Sequence, residues 1–138
     1  MVSLHHERVL VQWARDSAYR FFPLKEDPQL GLTLHPLDLA TNKALALVGR
    51  LEPLDWVDMP ECHSRLQPLG FLLWAACGKD PGYTPDFLIT LATRQRYAQA
   101  ELDLLAFDGP APDAAALSLR WKPAHSLPPC LPKRLGAV

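Results

Sequence analysis

A chain of 138 residues with a formal net charge of -1, 49% hydrophobic and 21% charged residues, is long enough for one core and too short for two domains. That composition excludes a disordered chain, and the near-neutral charge means that any nucleic-acid partner would have to be held by a local basic patch. The longest wholly apolar stretch, Phe71 to Cys77, falls far short of the roughly 20 residues a membrane-spanning helix needs, and Met1 to Arg15 lacks the unbroken apolar run of a secretory signal.

A cytoplasmic protein with no membrane contact is therefore expected. Cys62, Cys77 and Cys130 are widely spaced with no Cys-x-x-Cys pair, which points to reduced thiols rather than a disulfide framework or structural zinc. His5 and His6 are adjacent near a terminus with no further ligand spaced after them, so a solvated end is expected there.

In chain order, Arg8 to Trp13 places Val9, Val11 and Trp13 on one face and predicts a strand. Tyr19 to Leu24 predicts a second, broken by Asp27-Pro28, and Gly31 to Leu34 a third before His35-Pro36. Pro36 suits a first helical turn, Asp38 suits the positive end of the helix dipole, and Leu39, Ala40, Ala44, Leu47 and Val48 recur at helical spacing up to Gly49.

Pro53 opens a second helix, which Pro60 interrupts unless it kinks. Pro68 to Cys77 is apolar almost all round and predicts a buried helix stopped by Gly78 in a left-handed conformation. Thr84-Pro85-Asp86 is a cap, a first-turn proline and an acid, so a further helix is predicted to about Tyr97 with Phe87, Leu88, Leu91 and Ala92 inward. Ala100 to Phe107 and Asp113 to Lys122 predict two more.

Pro123, Pro128, Pro129 and Pro132 exclude helix from residue 123 onward, and 123–138 is expected to be a disordered or draped tail. Trp56, Trp74 and Trp121 have apolar neighbours and are expected in the core. The expected architecture is α+β, with strands at about 8–34 leading into a helical bundle at about 36–122.

The chemistry-bearing residues cluster early. The run His35-Pro36-Leu37-Asp38-Leu39-Ala40-Thr41-Asn42-Lys43-Ala44-Leu45-Ala46-Leu47, then Gly49-Arg50, then Asp55-Trp56-Val57-Asp58, resembles the nucleotidyltransferase toxins of the AbiEii/AbiGii type. Asp16-Ser17-Ala18-Tyr19-Arg20-Phe21-Phe22-Pro23 and Gly78-Lys79-Asp80-Pro81-Gly82-Tyr83 look like segments flanking that pattern, and the match spans about residues 8 to 122.

The resemblance implies a nucleotidyltransferase-like domain at 1–122 and a catalytic part for Lys43 and Asp55. It implies nucleotide contacts from Lys43, Arg50 and Asp58, with Lys43 facing the triphosphate as a point charge. For a complete family enzyme it implies magnesium and a nucleoside triphosphate as cofactors, and tRNA or an antitoxin as partner.

Family members carry a Gly-Ser or Gly-Gly turn before a strand bearing Asp-x-Asp, whose acids hold the metal. No Gly-Ser or Gly-Gly dipeptide and no strand-borne Asp-x-Asp occurs here. On the Arg8 to Trp13 strand the positions open to a third carboxylate are Leu10 and Gln12, neither of them an acid, and Asp16 lies just beyond the strand. Leu54 stands where the family tends to place a basic residue.

The chain is thus expected to be a truncated family member, inactive alone and with no metal of its own. The bland alternatives are a solvated Lys43 or one bridged to Asp55, and Asp55 and Asp58 as helix-end acids. From another class comes a non-enzymatic module that forms a homo-oligomer through an open sheet edge or binds an antitoxin-like partner. An unrelated metal-dependent hydrolase using His35, His63 and Asp58 is a third possibility. Gly78 to Gly82 lacks the Walker spacing and is expected to be a turn carrying a structural lysine; Arg94, Arg96, Arg120 and Lys122 are expected on a charged solvent face, with RNA contact as the alternative.

Overall fold

The computed structural model describes residues 19–124. The predicted strand Arg8 to Trp13, Asp16, the histidine pair, Cys130 and the tail beyond 124 lie outside the described residues. Two short antiparallel strands, β1 (Lys25–Asp27) and β2 (Gly31–Thr33), precede six helices: α1 (Pro36–Gly49), α2 (Pro53–Arg65), α3 (Leu69–Lys79), α4 (Pro85–Arg94), α5 (Gln99–Asp103) and α6 (Ala114–Ala124). The architecture is α+β.

Tyr19 to Leu24 is not the strand its residues predict. The backbone N–H groups of Phe21 and Phe22 donate to the Asp38 carboxylate, both at 3.0 Å, so this stretch straps onto α1 instead of entering a ladder. Pairing starts later, with Lys25 opposite Thr33, Glu26 opposite Leu32 and Asp27 opposite Gly31. Asp27-Pro28 is the turn of this hairpin: the Asp27 carboxylate accepts from the N–H groups of Gln29 and Leu30 at 2.9 Å, and Gly31 at φ +77 supplies the left-handed residue that closes it.

α1 is the centre of the bundle, packed on α2, α3 and α4, while α3 also meets α4 and α2 meets α6. Its N-cap is His35, whose Nδ1 accepts from the Leu37 N–H at 3.2 Å. Ala40, Ala44, Leu47 and Val48 are buried, but Leu39 is exposed beside the hairpin, contrary to its helical-spacing assignment. Around α1 the core takes Trp56, Met59, Leu69, Leu72, Leu73, Leu88, Leu102 and Trp121. Each fully buried leucine contributes roughly 1.5–3 kcal/mol of transfer free energy.

α2 runs through Pro60 without ending. A proline inside a helix leaves the carbonyl four residues earlier without its donor, here that of Trp56. The Trp121 indole Nε1 donates to that carbonyl at 3.1 Å, so α6 satisfies the acceptor that Pro60 leaves open. The two indoles lie 6.2 Å apart, nearly parallel.

α3 also departs from expectation. Gly78 does not stop it; the helix continues to Lys79, and the glycine instead admits the Phe21 ring, since an added Cβ would stand 3.3 Å from a ring carbon. Trp74, expected in the core, is exposed, as is Phe87 of α4, which stacks on Tyr83. α4 ends at Arg94 rather than near Tyr97 because the next residues turn back toward α1. Gln95 Nε2 donates to the Leu47 carbonyl at 2.7 Å, one of the acceptors a helix C-terminus leaves open, and Tyr97 Oη donates to the Leu51 carbonyl at 2.7 Å.

α5 stops at Asp103, before the predicted Phe107. The Gln99 side chain there is bonded across to the start of α6, accepting from the Ala114 N–H at 2.8 Å. α6 keeps helical backbone through Pro123 to Ala124, past the point where prolines were expected to exclude it; a single proline in a last turn forfeits one hydrogen bond and still has helical φ. Among the described residues no helix is long and apolar enough to cross a membrane.

Candidate functional site

The four residues singled out by the sequence, Lys43, Arg50, Asp55 and Asp58, converge where α1 and the start of α2 lie side by side. Asp55 and Asp58 are three apart on α2 and share a face, and that face meets the face of α1 that carries Lys43. The Lys43 ammonium donates to Asp58 Oδ2 and lies 3.7 Å from Asp55 Oδ1. From just beyond the end of α1, Arg50 Nη2 reaches both Asp55 oxygens, at 3.3 and 3.2 Å. The Lys43 bridge to Asp55 that the sequence left as an alternative is thus present, shared with Asp58.

Exposure within the cluster is graded. The Asp55 side chain is 3% exposed, Lys43 33%, Asp58 48% and Arg50 53%. Asp55 is therefore the buried pivot of the cluster, and the two cations and Asp58 form its solvent side. Two positive and two negative groups balance one another.

This arrangement does not fit a pair of divalent cations. Asp55 and Asp58 each face an ammonium or guanidinium, which would oppose a metal ion at the same oxygens. Among the described residues no group of three His, Cys, Asp or Glu side chains could hold a metal. The His35, His63 and Asp58 combination is not assembled: His35 Nδ1 accepts from Leu37, and His63 Nδ1 accepts from the Leu69 N–H at 3.0 Å at the start of α3. Both imidazoles serve helix ends.

A second ionic cluster was not read from the sequence as such. Lys79, expected as a structural lysine in a turn, lies at the end of α3 with a fully buried side chain whose Nζ is 2.9 Å from Asp38 Oδ1, also fully buried. Its ammonium further donates to Asn42 Oδ1 at 2.7 Å and to the Asp38 carbonyl at 3.3 Å, and it sits 5.6 Å from the centre of the Phe21 ring. Burial alone would push the Asp38 carboxyl up, but Lys79 and the Phe21 and Phe22 N–H groups outweigh it and hold it below 3.8. Asp38 is thus a structural acid that straps residues 21 and 22 to α1 and α3. The available signal was the pair Asp38 and Asn42, two polar residues one turn apart on a helix with an apolar inner face.

The basic residues considered for RNA divide. Arg120 pairs with Glu61 at 2.8 Å, and Arg96 donates to the carbonyls of Thr93 and Gln95, while Arg94 and Lys122 are exposed. Cys62 and Cys77 are free thiols, each pushed up by burial. Compared with known proteins, the chain matches no family model, no curated protein and no solved structure.

Proposed function

We propose that the chain is the nucleotide-contacting helical part of a nucleotidyltransferase-like protein of the AbiEii/AbiGii toxin type, and that it binds a nucleoside triphosphate without transferring phosphoryl or nucleotidyl groups alone. The observation that carries this is the convergence of Lys43, Arg50, Asp55 and Asp58, spread over two helices, into one cluster whose cations reach solvent.

Asp55 holds Arg50 and Lys43 in place from the protein side. Asp58 occupies the Lys43 ammonium in the absence of ligand and yields it to a phosphate, because half-exposed ion pairs are worth only about 0–1 kcal/mol. A triphosphate oxygen accepts from Lys43 while the planar Arg50 fork contacts a second phosphate. Asp58, released, faces the ribose or base.

Transfer chemistry needs carboxylates that grip divalent ions in a two-metal site, and the acids of this cluster are committed to cations. A tRNA acceptor, an antitoxin-like partner and a cytoplasmic location belong to the same proposal; the widely spaced cysteines support the location.

Calorimetric titration with each nucleoside triphosphate tests it. Binding with a dissociation constant on the order of 0.1–1 mM is expected, weakened at least about tenfold by Lys43→Met, which removes a charge-assisted bond. Absence of binding to the wild-type chain refutes the proposal. Label transfer to tRNA should be absent, and robust labelling would show that catalytic groups had been misassigned.

A further inference from the structure

The hairpin stands apart from the bundle in one respect: its packing is chiefly strand on strand, and no helix packs extensively against it. Two-stranded hairpins are marginal in water without a covered face. Leu30 and Leu32 are nonetheless 77% and 68% exposed, with Leu24 and Leu39 exposed nearby. Among the described residues the sheet has only these two strands, so each has an outer edge without a neighbour.

The two edges differ in chemistry. β1 reads Lys-Glu-Asp, and charges of this kind guard a strand against pairing. β2 reads Gly-Leu-Thr and carries no charge and no proline.

The β2 sequence is also self-complementary under two-fold symmetry. Antiparallel strands related by an axis normal to the sheet pair each residue with one on the same face. An axis at Leu32 therefore sets Leu32 against its own copy and Gly31 against Thr33, and brings the flanking Leu30 of one chain alongside Leu34 of the other. On that face Glu26 lies outside Leu32 in each hairpin, so the joined sheet sets the two Leu32 side chains against one another with a carboxylate on the far side of each.

We propose that two copies of this chain pair through β2, in antiparallel two-fold register centred on Leu32, to form a four-stranded sheet. This is independent of nucleotide binding at the α1 and α2 cluster, which involves none of these residues.

The full chain should show a concentration-dependent dimer by light scattering at concentrations on the order of 100 μM, since so short an interface is weak. Leu32→Lys, which opposes two ammonium groups at the axis, should raise the dimer dissociation constant at least about tenfold, whereas Glu26→Gln on the neighbouring strand should change it less than about twofold. In a background with the three native cysteines replaced by serine, Leu32→Cys should form a disulfide-linked dimer under mild oxidation, because directly opposed Cβ atoms lie about 5 Å apart. A chain that stays monomeric, whether because its own residues or a different partner cover β2, overturns the proposal. So does a dimer indifferent to Leu32→Lys, or a Leu32→Cys chain that fails to cross-link.

Discussion

Two lysine–aspartate clusters meet α1 at Asp38 and Lys43, about one and a half turns apart, and they behave as opposites. Lys79 and Asp38 are wholly buried and saturated by one another, by Asn42 and by the Phe21 and Phe22 backbone. Lys43 and Asp58 are a third to a half exposed, and Lys43 also reaches the buried Asp55. The comparison teaches that residue type alone does not mark a binding lysine. A buried ammonium with all its donors satisfied cannot reach a ligand, whereas one loosely paired at the surface can exchange its carboxylate for a phosphate.

Substitutions should separate the two clusters on a scale of stability. Asp38→Ala strips a buried ammonium of its counter-ion and leaves two N–H groups without their acceptor, and should cost about 3–5 kcal/mol in denaturant unfolding. A loss under about 1 kcal/mol would mean that water or another group already serves Lys79.

The same pair should contribute to the acid limb. A carboxyl held below its unfolded value contributes stability that is complete above that value and lost as pH falls toward the folded one. Unfolding free energy should therefore be level near neutrality and decline from about pH 4 downward. The hydrogen bond from Arg120 likewise lowers Glu61, so Asp38→Ala should flatten this limb without abolishing it. An unchanged acid limb in that variant would remove Asp38 from the explanation.

At the other cluster the losses should be smaller. Asp55→Asn removes the buried charge that faces Arg50 and Lys43 and turns one acceptor oxygen into a donor, yet both cations remain hydrated, so about 1–3 kcal/mol is expected. Lys43→Gln should change stability by no more than about 1 kcal/mol. If Lys43→Gln proved as costly as Asp38→Ala, the two clusters would be alike and the surface one would be structural.

Local signals made α1 legible from its residues: the His35-Pro36 start, the acid in the first turn and the inner face of Ala40, Ala44, Leu47 and Val48 are all encoded within one helix. The same holds for the Thr84-Pro85-Asp86 start of α4 and the shared face of Asp55 and Asp58. What sequence reasoning missed depends on partners distant along the chain.

Tyr19 to Leu24 has strand-forming residues, but its N–H groups are claimed by Asp38. Pro60 ought to end α2, but Trp121, far along the chain, takes the Trp56 carbonyl. Gly78 ought to end α3, but serves the approach of Phe21. Arg50 could be paired with Asp55 because five residues separate them, whereas Lys79 and Asp38 are 41 residues apart and no periodicity connects them.

The most direct test is the nucleoside triphosphate affinity of Asp58→Asn relative to wild type, measured by calorimetry under identical salt. If Asp58 occupies Lys43 until a phosphate replaces it, the variant, whose amide can still face the ribose or base, should bind roughly two- to fivefold more tightly, the range that the loss of a surface ion pair allows. Unchanged or weaker binding would contradict the claim that this cluster holds its lysine in readiness for a phosphate.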